Sequence, residues 1–298
     1  MSIREFVRKG SQSQPNVAAR ALLLADALLR GPEKVFDNRP YAVRVGVYGV
    51  GVAVYQGTVR PALLVVGSPA EKPIGIVRES PVGALMADLV DFETYGDLIA
   101  VPTSAPELQV APGDAIRKPK LGILGAGVKW TTGQGFLTVG HVAPTLGVAV
   151  IGQAGQIGTV VYANDPSGHG AIVEEDAAVI EVSSSVRRTG LFSSSTVPGP
   201  NDAVSVLRSG KPNAPASIMG SFQWLYMPGA NGTYGEVYST TMQATYQGDS
   251  GAPVMDSSNV LIGHVLGASP QFSSYVQDVA YQLKSVASRS KLGGIALG

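Results

Sequence analysis

Apolar residues occur mainly in short runs that glycine, proline and asparagine separate from one another. Beyond residue 120 these runs are rich in valine, and short apolar runs between turn residues indicate β-strands. Many short strands in succession predict a β-barrel or a β-sandwich. The candidate strands cover residues 121–129, 135–139, 148–152, 156–162, 177–182, 203–207, 217–227, 236–241, 252–255 and 260–266.

Two longer segments depart from this pattern and predict helices. Residues 14–30 are rich in alanine and leucine and end before Gly31 and Pro32, which stop a helix. A C-terminal helix is expected over residues 274–288, where helical spacing relates Tyr275, Val276, Val279, Leu283 and Val286. A short helix is also expected at residues 84–90.

The N-terminal third differs in character from the rest of the chain. It combines the first helix with short valine-rich strands, and prolines then punctuate a polar stretch near residues 105–118. This change predicts a domain boundary. We expect a small α/β accessory domain of unknown role at residues 1–112 and a β domain at residues 113–298. Residues 1–112 could have any of three roles: a pro-region, a docking surface for a regulatory partner or a homo-oligomer contact.

Charge and composition narrow the classes of function. The 22 basic and 22 acidic side chains balance, which argues against a protein that binds nucleic acid through phosphate contacts. No cysteine and three histidines leave no thiolate site and little material for a histidine-rich metal site, so no metal or other cofactor is expected. No apolar run reaches the roughly 18 residues of a membrane helix, and the N-terminus lacks a secretory signal. A cytoplasmic protein without membrane association is therefore expected.

The most informative motif is Gln-Gly-Asp-Ser-Gly-Ala-Pro-Val at residues 247–254. A serine hydroxyl is a poor nucleophile unless a base takes its proton and backbone donors hold the oxyanion that forms. The glycines around Ser250 allow a tight turn that can aim successive N–H groups at one point. An ordinary β-turn has the same composition, so the motif alone leaves both interpretations open.

Two further motifs supply a candidate base and a candidate acid. His141 follows the predicted strand at 135–139 and opens a loop, where a strand end can fix an exposed imidazole. Asp176 precedes the apolar strand at 177–182, and such an acid can fix the tautomer of a histidine. A histidine of the core or surface and a loop acid before a strand are the alternatives.

The order His141, Asp176, Ser250 resembles that of the trypsin-like serine proteases, which have the chymotrypsin fold. Residues 138–141 resemble the Thr-Ala-Gly-His segment of that family, residues 176–180 its Asp-Ile-Ala-Leu segment, and residues 248–253 its Gly-Asp-Ser-Gly-Gly-Pro segment. Ala252 replaces one glycine. The spacings of 35 and 74 residues are similar to those of the compact bacterial and viral members.

This resemblance implies a mainly β fold with two six-stranded barrels of the chymotrypsin type, at about 117–190 and 200–298, and a C-terminal helix. It implies that Ser250 is the nucleophile, that His141 is the general base and acid, and that Asp176 orients His141. The N–H groups of Gly248 and Ser250 would form the oxyanion hole. Residues 45–68 and 96–103 resemble a module that precedes the protease domain in bacterial relatives of the plant Narrow-leaf protein.

A fourth segment, Val-Leu-Arg-Ser-Gly-Lys at residues 206–211, resembles the Val-x-Arg-Ser-Gly segment of small bacterial relatives. In those enzymes the arginine pairs with the aspartate before the nucleophile and holds the oxyanion loop. The resemblance implies the same support from Arg208 to Asp249. An exposed arginine in a surface turn is the alternative.

Specificity depends on the residues just before Ser250 and on the strand near residues 263–268. Ala244 replaces the aspartate expected of an enzyme that cleaves after lysine or arginine, so tryptic specificity is not expected. The candidate substrate-binding residues are Thr245, His264 and Leu266. A threonine hydroxyl and an imidazole N–H could hold a carboxylate or an amide. A shift of one residue in strand register would instead make His264 a core histidine, with Val265 facing the pocket.

We therefore expect a serine endopeptidase that forms an acyl-enzyme on protein or peptide substrates, with cleavage after glutamate or glutamine as one option. A latent protease fold that serves as a scaffold or binding module in an assembly is the alternative from another class. Esterase activity is a third reading of the same residues.

Overall fold

The computed structural model describes fourteen stretches of the chain: residues 2–10, 16–30, 46–66, 74–75, 99–103, 107–108, 115–116, 119–152, 155–182, 192–208, 211–241, 243–246, 248–269 and 273–298. Within these stretches the helices are α1 (Ser2–Lys9), α2 (Val17–Arg30) and α3 (Val279–Arg289).

The strands make up most of the described residues. They are β1 (Val47–Tyr55), β2 (Thr58–Val66), β3 (Ile74–Gly75), β4 (Ile99–Thr103), β5 (Glu107–Leu108), β6 (Ala115–Ile116), β7 (Gly122–Ile123), β8 (Gly127–Trp130), β9 (Gly133–Thr138), β10 (Ala149–Gly152), β11 (Gly155–Asn164), β12 (Val173–Glu174), β13 (Ala177–Glu181), β14 (Ala203–Val206), β15 (Ala214–Met227), β16 (Gly232–Thr240), β17 (Pro253–Asp256), β18 (Leu261–Ser269), β19 (Ser273–Asp278) and β20 (Ala296–Leu297).

Six strands near the C-terminus close into a ring. β14 pairs with β15, β15 with β16, β16 with β19, β19 with β18, β18 with β17, and β17 with β14 again. A closed ring leaves its own strands no unpaired edge along the paired residues and buries their inner side chains. Every residue of β16, β18 and β19 is buried.

A second unit has the strand order β10, β11, β13, β9, β8, β20. β20 pairs with β8, so the end of the chain belongs to this unit and not to the barrel predicted over 200–298. The predicted fold class, mainly β with two six-stranded units and a C-terminal helix, is confirmed among the described strands.

The N-terminal strands join the closed barrel instead of forming a separate sheet. β1 pairs with β2 and also with β15, and β2 pairs with β4. Gly51 makes the contact with β15 possible, because a β-carbon there would collide with the backbone of Ser221 and lie 2.5 Å from the α-carbon of Phe222. The hairpin thus extends a barrel strand outward.

The helices α1 and α2 share a core with the barrel. Ile3, Phe6 and Val17 cluster with Val254 and Ile262. The indole N–H of Trp224 donates to the carbonyl of Ala25 at 2.9 Å. The described helices therefore pack on the barrel, and a small α/β accessory domain at residues 1–112 stays a prediction. The predicted boundary between residues 112 and 113 lies outside the described residues.

The C-terminal helix begins later than its apolar spacing predicts. Residues 273–278 form β19, and Asp278 caps α3 by accepting the backbone N–H of Tyr281 at 2.7 Å. Tyr275 and Val276 therefore lie in a strand, where consecutive side chains point to opposite faces, and they pack in two different core clusters. The helix predicted at 84–90 lies outside the described residues. Among the described helices, none is both long and apolar enough to cross a membrane.

Candidate active site

His141 lies in a tight turn directly after β9. The N–H of Val142 donates to the carbonyl of Val139, and that of Ala143 donates to the carbonyl of Gly140. Gly140 is required by this packing, because a β-carbon there would collide with the carbonyl of Asn164 and lie 3.0 Å from Oδ1 of Asp176. The imidazole is 2% exposed. The strand end thus places a buried histidine against Asp176.

Asp176 holds His141 by two contacts. Its Oδ2 lies 2.5 Å from Nδ1 of His141, and its Oδ1 accepts the backbone N–H of His141 at 2.8 Å. The side chain of Asp176 is fully buried. A carboxylate that accepts from Nδ1 leaves the proton on that nitrogen and makes Nε2 the basic atom.

Two glutamines that sequence reasoning missed hold Asp176 in turn. Its backbone N–H donates to Oε1 of Gln277 at 2.8 Å, and its carbonyl accepts Nε2 of Gln282 at 2.7 Å. Both glutamine side chains are fully buried. A signal was present, because Gln282 lies three residues after Val279 and four before Val286, on the apolar face of α3. A polar residue on such a face indicates a specific buried partner.

Ser250 lies in a turn that two glycines shape. Gly248 and Gly251 have φ angles of 104° and 85°, a region that favours glycine. The N–H of Ala252 donates to the carbonyl of Asp249, which closes the turn. The hydroxyl of Ser250 is 3.5 Å from the carbonyl of Leu266 in β18. The N–H groups predicted as the oxyanion hole, those of Gly248 and Ser250, belong to this turn.

The turns that carry His141 and Ser250 meet across β7. The N–H of Ile123 donates to the carbonyl of Ser250 at 2.8 Å, and the carbonyl of Ile123 accepts Oγ1 of Thr138 at 2.7 Å. A β-carbon at Gly251 would collide with Oγ1 of Thr138. At Gly122, a β-carbon would touch both the side chain of Val142 and the carbonyl of Ser250. These contacts bring the histidine turn and the serine turn together.

One nitrogen of His141 is left without a partner in this arrangement. Nε2 is buried and makes no hydrogen bond to any described residue. A buried polar atom without a partner is costly, and a catalytic role is one of the explanations for such an atom in a native structure. The unpaired atom is the one that the Asp176 contact makes basic.

Arg208 forms an ion pair with Asp249. Its Nε lies 3.1 Å from Oδ2 of Asp249, and its guanidinium stacks 5.5 Å from the ring centroid of Tyr246. The same Oδ2 accepts the backbone N–H of Tyr246 at 3.0 Å. The Nε contact is an ion pair rather than an aligned hydrogen bond, because Nε lacks hydrogen-bond geometry to any described acceptor. Asp249 therefore connects Arg208 to the segment that precedes the serine turn.

His264 lies in the core and not in a substrate pocket. Nε2 accepts the backbone N–H of Ala126 at 3.0 Å, and Nδ1–H donates to Oε1 of Gln282 at 2.7 Å. The side chain is fully buried. Both ring nitrogens are used, so the expectation that His264 binds substrate is wrong. The alternative strand register, with a core histidine, is the one observed.

Because His264 is buried, the protein should lose stability in acid. Burial lowers its pKa from 6.5 to about 4, so between these values the unfolded chain binds a proton that the folded chain does not. The free energy of unfolding therefore falls as pH decreases through that window. Asp278 opposes the effect, because burial raises its pKa from 3.8 to about 6 and its contribution grows as pH decreases.

The variant His264→Gln separates the two effects, because Asp278 is common to both proteins. Denaturant unfolding at pH 7 and pH 4.5 should show a smaller acid loss in the variant, by about 2 to 3 kcal/mol. Equal acid losses in the two proteins would refute a neutral buried His264.

The other two predicted substrate-binding residues are also buried. Oγ1 of Thr245 donates to Oγ of Ser274 at 2.8 Å, which ties the segment before the serine turn to β19. The side chain of Leu266 packs in the main core cluster with Tyr275 and Phe222. Leu266 therefore meets Ser250 through its carbonyl, and its side chain is not a pocket wall.

Charges beside Asp176 are compensated locally. Arg289 lies 2.8 Å from Oε1 of Glu174 and 3.2 Å from Oε2 of Glu175. Burial raises the pKa of Glu175, and the hydroxyl of Tyr162 donates to its Oε1 at 2.5 Å. His169 pairs with Glu174 at the surface. No group of three or more His, Asp or Glu side chains suited to a metal ion occurs in the described part of the chain.

Comparison with solved structures finds bacterial proteases at low identity. Nocardiopsis protease is 21% identical, with a TM-score of 0.45 over 58% of this chain and 90% of that chain. Cellulomonas bogoriensis chymotrypsin is 19% identical, with a TM-score of 0.46 over 60% and 96%. Thermobifida fusca protease A is 17% identical, with a TM-score of 0.47 over 64% and 97%. No protein-family model matches the chain, and no curated protein does either.

Proposed function

We propose that the protein is a serine endopeptidase with Ser250 as nucleophile, His141 as general base and acid, and Asp176 as the residue that orients His141. The observation that carries this proposal is the double contact of Asp176 with His141, which leaves Nε2 of His141 basic, buried and without a hydrogen-bond partner among the described residues. A histidine held by a carboxylate in this way is the base–orienter part of a catalytic triad, which is recognised by geometry and not by sequence position.

In the first half of the reaction, Oγ of Ser250 attacks the substrate carbonyl while Nε2 of His141 takes the hydroxyl proton. The negative charge moves to the carbonyl oxygen, where the N–H groups of Gly248 and Ser250 receive it. The C–N bond then breaks, and the imidazolium gives its proton to the leaving amine. Asp176 stabilises the imidazolium between these two transfers.

In the second half, water attacks the acyl-enzyme and gives a proton to His141. The acyl C–O bond breaks, and the proton returns to Oγ of Ser250. A carboxylic acid is released, and the enzyme is regenerated without any cofactor. Arg208 supports both halves by holding Asp249, the residue between the two oxyanion donors.

The proposed substrates are proteins or peptides, and tryptic cleavage is not proposed because Ala244 replaces the expected aspartate. Cleavage after glutamate or glutamine stays a prediction. A homo-oligomer or regulatory partner at residues 1–112 and a cytoplasmic location also stay predictions.

Cleavage of a peptide library by the whole chain tests the proposal. Discrete cleavage sites that disappear in Ser250→Ala are expected, with few of them after lysine or arginine. Cleavage that persists in the variant, or none by the unaltered chain on any library member, would refute the proposed activity.

A further inference from the structure

β18, the strand whose Leu266 carbonyl lies near the hydroxyl of Ser250, has one edge that two different strands share, β17 and β5. β19 pairs with β18 from Gly263 to Ser269 along one edge. On the other edge, β17 pairs with β18 only from Leu261 to His264. The remainder of that second edge, past His264, runs directly beside the serine turn.

β5 occupies this remainder. Leu108 pairs with Gly267 and Glu107 with Ala268, in antiparallel orientation. The residue before Gly267 is Leu266, whose carbonyl is 3.5 Å from the hydroxyl of Ser250. The N–H of Gly251 also donates to the carbonyl of Val265 at 2.9 Å. A segment from the N-terminal third therefore pairs with the strand edge immediately next to the candidate nucleophile.

An extended peptide needs such an edge in order to bind. Backbone hydrogen bonds to an exposed strand edge give affinity, and they hold the peptide straight so that one carbonyl is presented to the nucleophile. A substrate strand in the register of β5 would place its next residue opposite Leu266, and so beside Ser250. Substrate and β5 therefore require the same backbone groups of Gly267 and Ala268.

We propose that β5 is an internal competitor that occupies the substrate edge of β18, so that a substrate must displace it before cleavage. This inference rests on the proposed endopeptidase function. β5 belongs to the same chain, and a tethered segment competes at an effective concentration of about millimolar order. Its two-residue length keeps the competition modest and allows displacement.

Competition between β5 and substrate would give a regulatory function to the junction between the N-terminal strands and the second β unit. β4 ends at Thr103, on the extension of the barrel, and β6 begins at Ala115 and pairs with β7. β7 in turn binds the carbonyl of Ser250 through Ile123. β5 lies between these two anchors in the sequence, so an event that shifts the N-terminal strands would change the occupancy of the substrate edge.

The test compares two double variants at β5. Glu107→Pro with Leu108→Pro removes both backbone donors, whereas Glu107→Ala with Leu108→Ala changes the side chains and keeps the donors. In a Ser250→Ala background, a fluorescent peptide with the sequence of residues 104–112 should bind about 3- to 10-fold more tightly to the proline variant than to the alanine control. With active enzyme, KM for a peptide substrate should fall by a similar factor at unchanged kcat.

A second measurement needs no change at β5. Amide hydrogen exchange of residues 99–116 in the Ser250→Ala protein should accelerate when the probe peptide is added, because the peptide displaces β5. Equal peptide affinity of the two double variants, or exchange that the peptide leaves unchanged, would overturn the proposal. Labelling of Ser250 by a small fluorophosphonate reports the endopeptidase function separately, so a failed labelling with altered peptide affinity would overturn the function and not the competition.

Discussion

Replacement of Ser250 by alanine should lower kcat on any peptide that the protein cleaves by a factor of about 10³ or more, with the fold intact. The substitution removes only Oγ, which lies at the long distance of 3.5 Å from the carbonyl of Leu266. No acyl-enzyme can form without this atom, whereas the backbone turn that Gly248 and Gly251 shape does not require it. Progress curves with purified protein and circular dichroism measure the two effects.

Ser221→Ala is the matched control for this experiment. Ser221 is fully buried in β15 of the same barrel, and its hydroxyl has no hydrogen-bond partner in the described structure. Loss of that hydroxyl should leave kcat within about twofold, since surface and core hydroxyls away from the reacting atoms change stability rather than turnover. A Ser250→Ala protein as active as this control would refute Ser250 as nucleophile.

Asp176→Asn should lower kcat by a factor of about 10³ to 10⁴. An amide at this position can donate to Nδ1 of His141, which would move the imidazole proton to Nε2 and remove the base. It also removes the charge that stabilises the imidazolium. The shape of the side chain is preserved, so KM should change much less than kcat. Steady-state kinetics at pH 7 separate the two parameters.

Asp202→Asn is the control for a lost carboxylate charge. Asp202 is exposed and accepts the backbone N–H of Gly199 at 2.6 Å, in the loop before β14. Its substitution should leave kcat unchanged. If Asp176→Asn kept more than a tenth of the unaltered kcat, the role of Asp176 in orienting His141 would be wrong.

The core of the candidate site could be read from the sequence because each part depends on local chemistry. A histidine at a strand end, an acid before a strand and a serine between glycines are short-range features, and their order adds information. The contact between His141 and Asp176 and the pair of Arg208 with Asp249 agree with that reading. The N–H positions of the predicted oxyanion hole stay a prediction.

The place of the N-terminal strands could not be read in the same way. A valine-rich run predicts a strand but not its partner, and β1 pairs with residues of β15 that follow it by more than a hundred positions. The pairing depends on Gly51, whose missing β-carbon lets two backbones approach. Nothing local distinguishes this glycine from one in an ordinary turn, so a separate domain was the natural expectation.

Strand register explains the error at His264. A one-residue shift moves a side chain to the opposite face of a strand, and the sequence near Gly263 does not fix that choice. The partners of His264 decide it, because Ala126 and Gln282 together satisfy both ring nitrogens. Gln282 also donates to the carbonyl of Asp176, so His264 supports the site through Gln282 rather than by contact with substrate.

The most direct test of the account is covalent labelling of the whole chain with a fluorophosphonate probe, followed by peptide mapping. We expect an adduct on Ser250 that forms at least about 100-fold more slowly in His141→Ala, because the imidazole must take the proton of the attacking hydroxyl. Failure of the unaltered protein to form that adduct, or labelling of Ser250 at the same rate without His141, would contradict the proposed serine endopeptidase and favour a latent protease fold that acts as a binding module.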